Sequence, residues 1–230
     1  MSVVNNEAEA TEYNKSAFEN LTWDRGVAFH MTKRSMDMVA SLIGLVLLSP
    51  LFIVLAILIK IEDSKGPVFF KQQRFGKNSK MFNIYKFRSM ATNAEQRLKE
   101  DPVLYEKYVA NNYKLEQDED PRITSIGRFL RKTSLDELPQ LFNVFKGEMS
   151  LVGPRPIVAQ ELKEYKDRKD DLLSVKPGVT GYWQVSGRSD VGYPERVDLE
   201  LFYVYHRTIW LDIRILFATV ISVLLKKGAY

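Results

Sequence analysis

The strongest constraint in this chain is a run of 22 residues without a charge, Met38 to Ile59. At 1.5 Å per residue a straight helix of that length would cross ~30 Å of hydrocarbon. Pro50 lies just past its middle, where it removes a backbone hydrogen bond and bends a helix. Ser49 before it can bond a carbonyl that the break frees, which makes such a break tolerable in lipid. Lys33 and Arg34 precede the run and Lys60, Lys65 and Lys71 follow it. Positive charge marks the cytoplasmic side, and here it marks both ends. Two limbs of eleven residues, each about 17 Å long, would reach half-way across a bilayer and return. The expected element is a re-entrant helix–break–helix hairpin over 31–61 with Ser49 and Pro50 at the bend. A straight or kinked spanning helix is the competing reading.

The rest of the chain narrows the class. The 230 residues contain no Cys, so disulfides and Cys-ligated zinc are excluded, and with two His a His-rich metal site is disfavoured. The mean hydropathy of −0.22 is too low for a polytopic transporter. Net charge is +4, but residues 1–30 carry −3 and the remainder +7. Residues 1–30 read as a polar, acidic, mobile leader that is not a signal peptide. The basic body suits an acidic partner: nucleic acid, anionic lipid or a phosphorylated substrate. Nucleic acid is disfavoured, because the aromatic residues fall inside apolar runs.

Along 62–230 the pattern predicts a cytoplasmic domain with no linker dividing it. Val68–Arg74 and Lys80–Arg88 read as a β-hairpin, with Gly-Pro and Gly-Lys-Asn turn signals. Residues 92–118 read as a surface helix broken near Asp101-Pro102, 123–132 as a short basic helix, 134–146 and 157–173 as further helices. Leu199–Leu225 is amphipathic and rich in Trp and Tyr, so interfacial helices lying on a membrane are expected. The predicted fold class is α/β, mostly helical: a monotopic membrane protein with a re-entrant hairpin, a small β-hairpin and interfacial helices.

The densest chemistry runs from Asp120 to Pro156. Ser134-x-x-Glu137 is a capping box, and acids in a first helical turn suit the helix dipole. Yet Arg128, Arg131 and Lys132 precede the adjacent carboxylates Asp136-Glu137. Arginines take phosphate oxygens bidentately, acids can hold Mg²⁺ on a diphosphate, and a carboxylate can attack phosphorus. The residues alone leave the capping and phosphate-handling readings balanced. Asp118-Glu119-Asp120 is formally a D-x-D pattern, which would suit a sugar-nucleotide glycosyltransferase with a metal site on Asp118 and Asp120. Neither a P-loop nor G-x-G-x-x-G occurs.

From Lys33 to the C-terminus the chain resembles the bacterial sugar transferases, the monotopic polyprenyl-phosphate phosphoglycosyl transferases, in their compact catalytic form. The matching stretches are KRSMD (33–37), the apolar run, GPVFFKQQRFGKN (66–78), FNIYKFRSM (82–90), DPRITSIGRFLRKTSLDELPQLFNVFKGEMSLVGPRP (120–156), KPGVTGYWQVSGR (176–188) and YHRTIWLDIRIL (205–216). The resemblance implies transfer of a sugar-1-phosphate from a UDP-sugar to polyprenyl (undecaprenyl) phosphate with release of UMP. It implies Asp136 as nucleophile, forming a phosphosugar–aspartyl intermediate, Glu137 as Mg²⁺ ligand, and Arg155 of Pro154-Arg155-Pro156 as a phosphate-positioning residue. Arg88, Arg122, Arg128 and Arg188 are further candidates for phosphate or nucleotide contact. Lys33 and Arg34 are expected at the headgroup level, with Arg34 pairing Asp212. The implied location is the cytoplasmic face of a bacterial inner membrane, serving exopolysaccharide or capsule assembly. Membrane lipid is the implied surroundings, and an isologous homodimer is compatible. One departure stands out: family members commonly read Gly-Trp-Ala-Gln-Val-Asn-Gly-Arg where this chain has Gly181-Tyr182-Trp183-Gln184-Val185-Ser186-Gly187-Arg188.

Overall fold

The computed structural model describes residues 25–111, 115–187 and 191–224. Most of the expected leader and Arg188 lie outside them. The first helix begins at Val27, so the last residues assigned to the leader are helical.

Helix α1 (Val27–Leu47) and α2 (Ser49–Glu62) meet at a bend of 59°. The cause is local. Pro50 has no N–H for the Val46 carbonyl, and the Ser49 hydroxyl donates to that carbonyl instead at 2.7 Å. Among the described residues no single helix is long and apolar enough to cross a membrane, whereas the bent pair together is. Leu47, Ile53 and Ile57 face outward, more than half exposed. Within α2 the buried residues are Leu55 and Ile59, which pack with Phe87 and Leu130. At the other end, buried Asp37 of α1 accepts the Ser150 hydroxyl at 3.0 Å and the Leu151 N–H at 2.9 Å.

Strands β1 (Phe69–Phe75) and β2 (Met81–Phe87) form the expected hairpin, antiparallel, with Phe70 opposite Lys86 and Phe75 opposite Met81. Helices α3 (Ala94–Lys99) and α4 (Pro102–Ala110) are the surface helix expected over 92–118, with the expected break at Asp101-Pro102, and the Asp101 carboxylate caps α4 by accepting from Leu104 N–H at 3.0 Å. Helix α5 (Ser125–Lys132) matches the short basic helix.

Three expectations change from there. The helix predicted over 134–146 is a 3-10 turn, Leu135–Glu137, followed by α6 (Gln140–Lys146). Pro139 cannot donate to the Leu135 carbonyl, and Leu138 N–H takes that carbonyl in the tighter 3-10 pattern at 3.2 Å. Ser134 is left-handed (φ 57°) and makes no side-chain cap, so the predicted capping box does not form. The helix over 157–173 is likewise broken into α7 (Ala159–Leu162), a 3-10 segment (Lys163–Arg168) and α8 (Lys169–Leu173), with Lys166 at positive φ. Tyr165 beside the break is buried with Leu172, Val197 and Leu201.

A second sheet was not foreseen: β3 (Ser150–Val152) pairs in parallel with β4 (Gly178–Thr180). Three-residue strands in a turn-rich stretch carry no period that a sequence reader can detect. Helices α9 (Tyr182–Ser186), α10 (Glu195–His206) and α11 (Ile209–Leu224) complete the described residues. The amphipathic C-terminal segment is thus two helices. The second leaves Trp210, Phe217 and Val220 exposed while Ile215 is buried against Val152 and Tyr203. The architecture is mostly helical with two small sheets, bound to a bent apolar helix pair.

Candidate active site

The carboxylate pair is held from the side of the bent helix pair. Glu62, the last residue of α2, accepts from Ser125 N–H at 2.6 Å and Ile126 N–H at 3.1 Å, and Thr124 Oγ1 accepts from Gly127 N–H at 2.9 Å. Three orphan donors at the start of α5 are thereby satisfied. Gly127 lies against the Ser89 carbonyl so closely that a Cβ there would sit 1.9 Å from it. Arg131, one turn on, donates from Nε to Ser89 Oγ at 2.9 Å. The chain then reverses through left-handed Ser134 into the turn bearing Asp136 and Glu137.

In a 3-10 turn successive side chains diverge by about 120°, so these neighbours serve different surroundings. Asp136 is 9% exposed. Burial raises its carboxyl to about 6; Lys86 and Arg131 oppose the rise and Glu137 adds to it. Glu137 faces β2, where its Oε1 takes the Lys86 ammonium at 2.6 Å. Burial works against its ionisation, but Lys86, Arg155 and the hydrogen bonds from Lys86 and Gln140 prevail and hold it down to about 2. Burial dominates at Asp136 and cationic partners dominate at Glu137, so the two neighbours are pushed in opposite directions.

Arg155 is delivered by a turn fixed on both sides. Gly153 N–H donates to the Thr180 carbonyl at 2.9 Å and Gly178 N–H to the Pro154 carbonyl at 2.8 Å. On the other flank Phe75 N–H donates to the Ile157 carbonyl at 3.1 Å, and Arg74 Nη1 to the Pro156 carbonyl at 3.3 Å. Residues 153–157 therefore bridge the two sheets. Gly178 must lack a side chain, since a Cβ would fall 2.1 Å from Gly153 N. Arg155 lies near enough to Glu137 to help hold it ionised.

The other predicted residues are placed elsewhere. Arg88 is a strut: Nη1 meets Asp63 Oδ2 at 3.2 Å and Nη2 the Asp63 carbonyl at 2.5 Å, and Asp63 also accepts Thr92 N–H. Arg122 forks onto Asp120 (Nε to Oδ1 2.8 Å, Nη2 to Oδ2 2.7 Å) with its guanidinium 4.4 Å from the Tyr108 ring centroid. Arg128 sits 3.9 Å from Asp118 on the surface. Asp118 is exposed and paired with Lys132, while both oxygens of Asp120 are taken by Arg122, which removes the basis for a D-x-D metal site. Arg34 does not pair with Asp212. Lys33 does, at 2.5 Å, and also donates to the Val152 carbonyl at 3.1 Å. Arg34 instead donates to the Val144 and Phe145 carbonyls at the C-terminus of α6, both at 2.7 Å. One residue along the helix turns a side chain by about 100°, enough to exchange the two partners.

Sequence reasoning gave no role to Lys86. It was legible in one respect: Phe82, Ile84 and Lys86 alternate on one face of β2, and a lysine on the face that buries Ile84 invites a partner. Arg131, Gln140 and Arg74 gave no comparable signal. Among the described residues no three His, Asp or Glu side chains converge to cage a metal. The donor set suits Mg²⁺ all the same, because that ion commonly takes one or two carboxylates and completes its octahedron with water and substrate phosphate.

The sequence profile described as bacterial sugar transferase matches residues 28–226. The chain belongs to the bacterial sugar transferase family. It is 52% identical over 202 residues to an undecaprenyl-phosphate galactose phosphotransferase of Salmonella typhimurium, covering 86% of this chain and 41% of that protein. It is 44% identical over 204 residues to an exopolysaccharide production protein of Rhizobium meliloti, covering 87% of this chain and 88% of that one. It is 39% identical to an undecaprenyl-phosphate glucose phosphotransferase of Komagataeibacter xylinus, over 87% of this chain and 37% of the relative. The chain spans about two-fifths of the length of the first of these and most of the second.

Proposed function

We propose that this sugar transferase moves a hexose-1-phosphate from a UDP-sugar to undecaprenyl phosphate, releasing UMP, as the initiating step of an exopolysaccharide or capsule. The observation that carries the reading is the placement of Asp136: a buried carboxylate next to Glu137, whose own carboxylate is clamped by Lys86 and lies near Arg155. An Asp136 oxygen attacks the phosphorus bearing the sugar, and the bond from that phosphorus to the bridging oxygen breaks, so UMP departs with the oxygen. A phosphate oxygen of the lipid then attacks the same phosphorus, the phosphorus–carboxylate bond breaks, and Asp136 is regenerated. Neither step needs much proton transfer; both need anionic oxygens to be neutralised and aligned. Lys86 and Arg155 supply fixed positive charge, and Glu137 would hold Mg²⁺, which adds charge neutralisation on the diphosphate when bound.

The bent helix pair fits this chemistry as a re-entrant anchor with both ends at the cytoplasmic face, since its acceptor is a lipid whose phosphate lies at the headgroup level. Trp210 and Phe217 on α11 suit the same surface. The galactose in the name of the 52%-identical relative makes UDP-galactose the first donor to try, with UDP-glucose and UDP-N-acetylgalactosamine beside it. The test is a UDP-sugar panel against undecaprenyl phosphate with the released nucleotide identified. UMP is expected, and Asp136→Asn should abolish its release while the protein still floats with vesicles. Release of UDP, or full activity in Asp136→Asn, refutes the reading.

A further inference from the structure

Arg196 on α10 is 6% exposed and lies between two aromatic rings, its guanidinium carbon 4.2 Å from the Trp183 centroid and 4.9 Å from that of Tyr193. Its Nε meets Glu200 at 3.1 Å and its Nη1 meets Glu161 at 3.4 Å, while buried Nη2 has no hydrogen-bond partner. The other oxygen of Glu161 is shared with Arg74 Nη1 at 3.3 Å, and buried Nε of Arg74 also lacks a partner. Two orphan guanidinium donors therefore flank one carboxylate. Both contacts to Glu161 are longer than the ~2.7–2.9 Å of a good charge-assisted bond. A buried donor without an acceptor costs about 1–3 kcal/mol, and two in one cluster ask for an explanation.

Their place in the fold supplies one. Arg74 shares a face of the β-hairpin with Lys86: Lys86 is opposite Phe70, and Arg74 stands four residues further along β1, roughly 13 Å at 3.3 Å per residue. Arg155 is near Glu137 at one end and depresses Arg74 at the other, where burial already works against that guanidinium. Cations thus run from the carboxylate pair outward, Lys86, Arg155, Arg74 and Arg196, and end on Trp183, inside the stretch where this chain departs from its family's usual sequence.

We propose that Arg196 and Arg74, with Trp183 backing Arg196, form the subsite for the nucleotide-side phosphate of a nucleoside diphosphate donor. This rests on the nucleotide-sugar reading above. A phosphate there accepts from Arg196 Nη2 and Arg74 Nε, the two donors now unpaired, and leaves the sugar-side phosphorus toward Arg155 and Asp136. Trp183 sets the direction of the Arg196 fork by stacking on it.

The test is calorimetric titration of the full-length protein, in detergent micelles, with UMP, uridine and inorganic pyrophosphate. Arg196→Lys keeps the charge facing Glu200 and Glu161 but loses the fork; Arg74→Lys does the same on β1. Each should weaken UMP binding about tenfold and raise the donor KM by a similar factor, with uridine binding unchanged. Should Arg196→Lys fail to fold, Arg74→Lys carries the same expectation. Unchanged UMP affinity in a folded variant overturns the proposal, and so does a loss confined to pyrophosphate or a fall in kcat at constant KM. The same wild-type preparation is assayed for UMP release. Binding that depends on Arg196 without turnover refutes the transferase reading and leaves the subsite standing. Turnover with affinity indifferent to both arginines does the reverse.

Discussion

Lys33→Met should be among the most damaging single changes outside the carboxylate pair. Lys33 reaches from α1 to Asp212 on α11, two elements 179 positions apart in sequence, and also bonds the Val152 carbonyl of β3. Asp212 is 3% exposed, and its other oxygen accepts only the Tyr203 hydroxyl at 2.8 Å. Methionine preserves the packing of the lysine stem, so the loss isolates the charge. Removing one partner of a buried pair costs about 3–5 kcal/mol, because the remaining charge is left uncompensated. The Lys33 side chain keeps 17% exposure, so water can partly replace it; a value near the low end, about 3 kcal/mol, follows. Burial already raises the Asp212 carboxyl and Lys33 opposes that rise. Without Lys33 the folded-state value climbs further. A raised carboxyl favours the fold in its protonated form, so the penalty is largest at neutral pH and shrinks on acidification. The assay is denaturant unfolding in a non-ionic micelle, followed by tryptophan fluorescence at several pH values, with Asp212→Asn completing a double-mutant cycle. A loss below about 1 kcal/mol at neutral pH, or a penalty that grows as the pH falls, refutes the reasoning.

Arg34→Met should cost less, about 1–3 kcal/mol, since it removes two hydrogen bonds to the C-terminal carbonyls of α6 and strands no buried charge; the same unfolding assay ranks the two. Gly127→Ala should destabilise by about 3 kcal/mol and impair the carboxylate pair, because its Cβ would strike the Ser89 carbonyl at 1.9 Å; wild-type stability by denaturant midpoint would contradict this. Burial raises Glu200 above its ordinary value despite Arg196 and Tyr165. Wild type should therefore gain stability relative to Glu200→Gln as the pH falls from neutral toward about 5, which parallel melts at each pH would show. Cysteines placed at Ser35 and Ser64 should both react with an impermeant thiol reagent from the cytoplasmic side. Labelling from opposite sides would turn the bent pair into a spanning segment.

Periodicity exposed the elements whose causes are local. The Pro50 break, the hairpin flanking Gly76, the Asp101-Pro102 interruption and the basic helix at 125–132 each depend on residues within a turn of one another. The carboxylate pair was legible too, since two adjacent acids behind three cations are rare enough to notice. Its geometry was not, because the capping box looked satisfactory until Pro139 and left-handed Ser134 removed the helix it would have capped. The parallel pairing of β3 with β4 also escaped, as it joins two three-residue segments 28 residues apart that have no alternation to display.

By itself, then, the sequence determined the apolar length of the bent helix pair and the charges placed around it. Apolar length, flanking lysines and the Asp136-Glu137 order are properties of the chain as written. Tertiary structure decided which charge meets which. Lys33 rather than Arg34 reaches Asp212, Lys86 makes the direct contact to Glu137, and Arg122 turns to Asp120. Partner choice among many arginines and lysines depends on side-chain direction and on distances of a few ångströms between residues far apart in sequence, and Coulomb energy in a poorly solvated site changes steeply over that range.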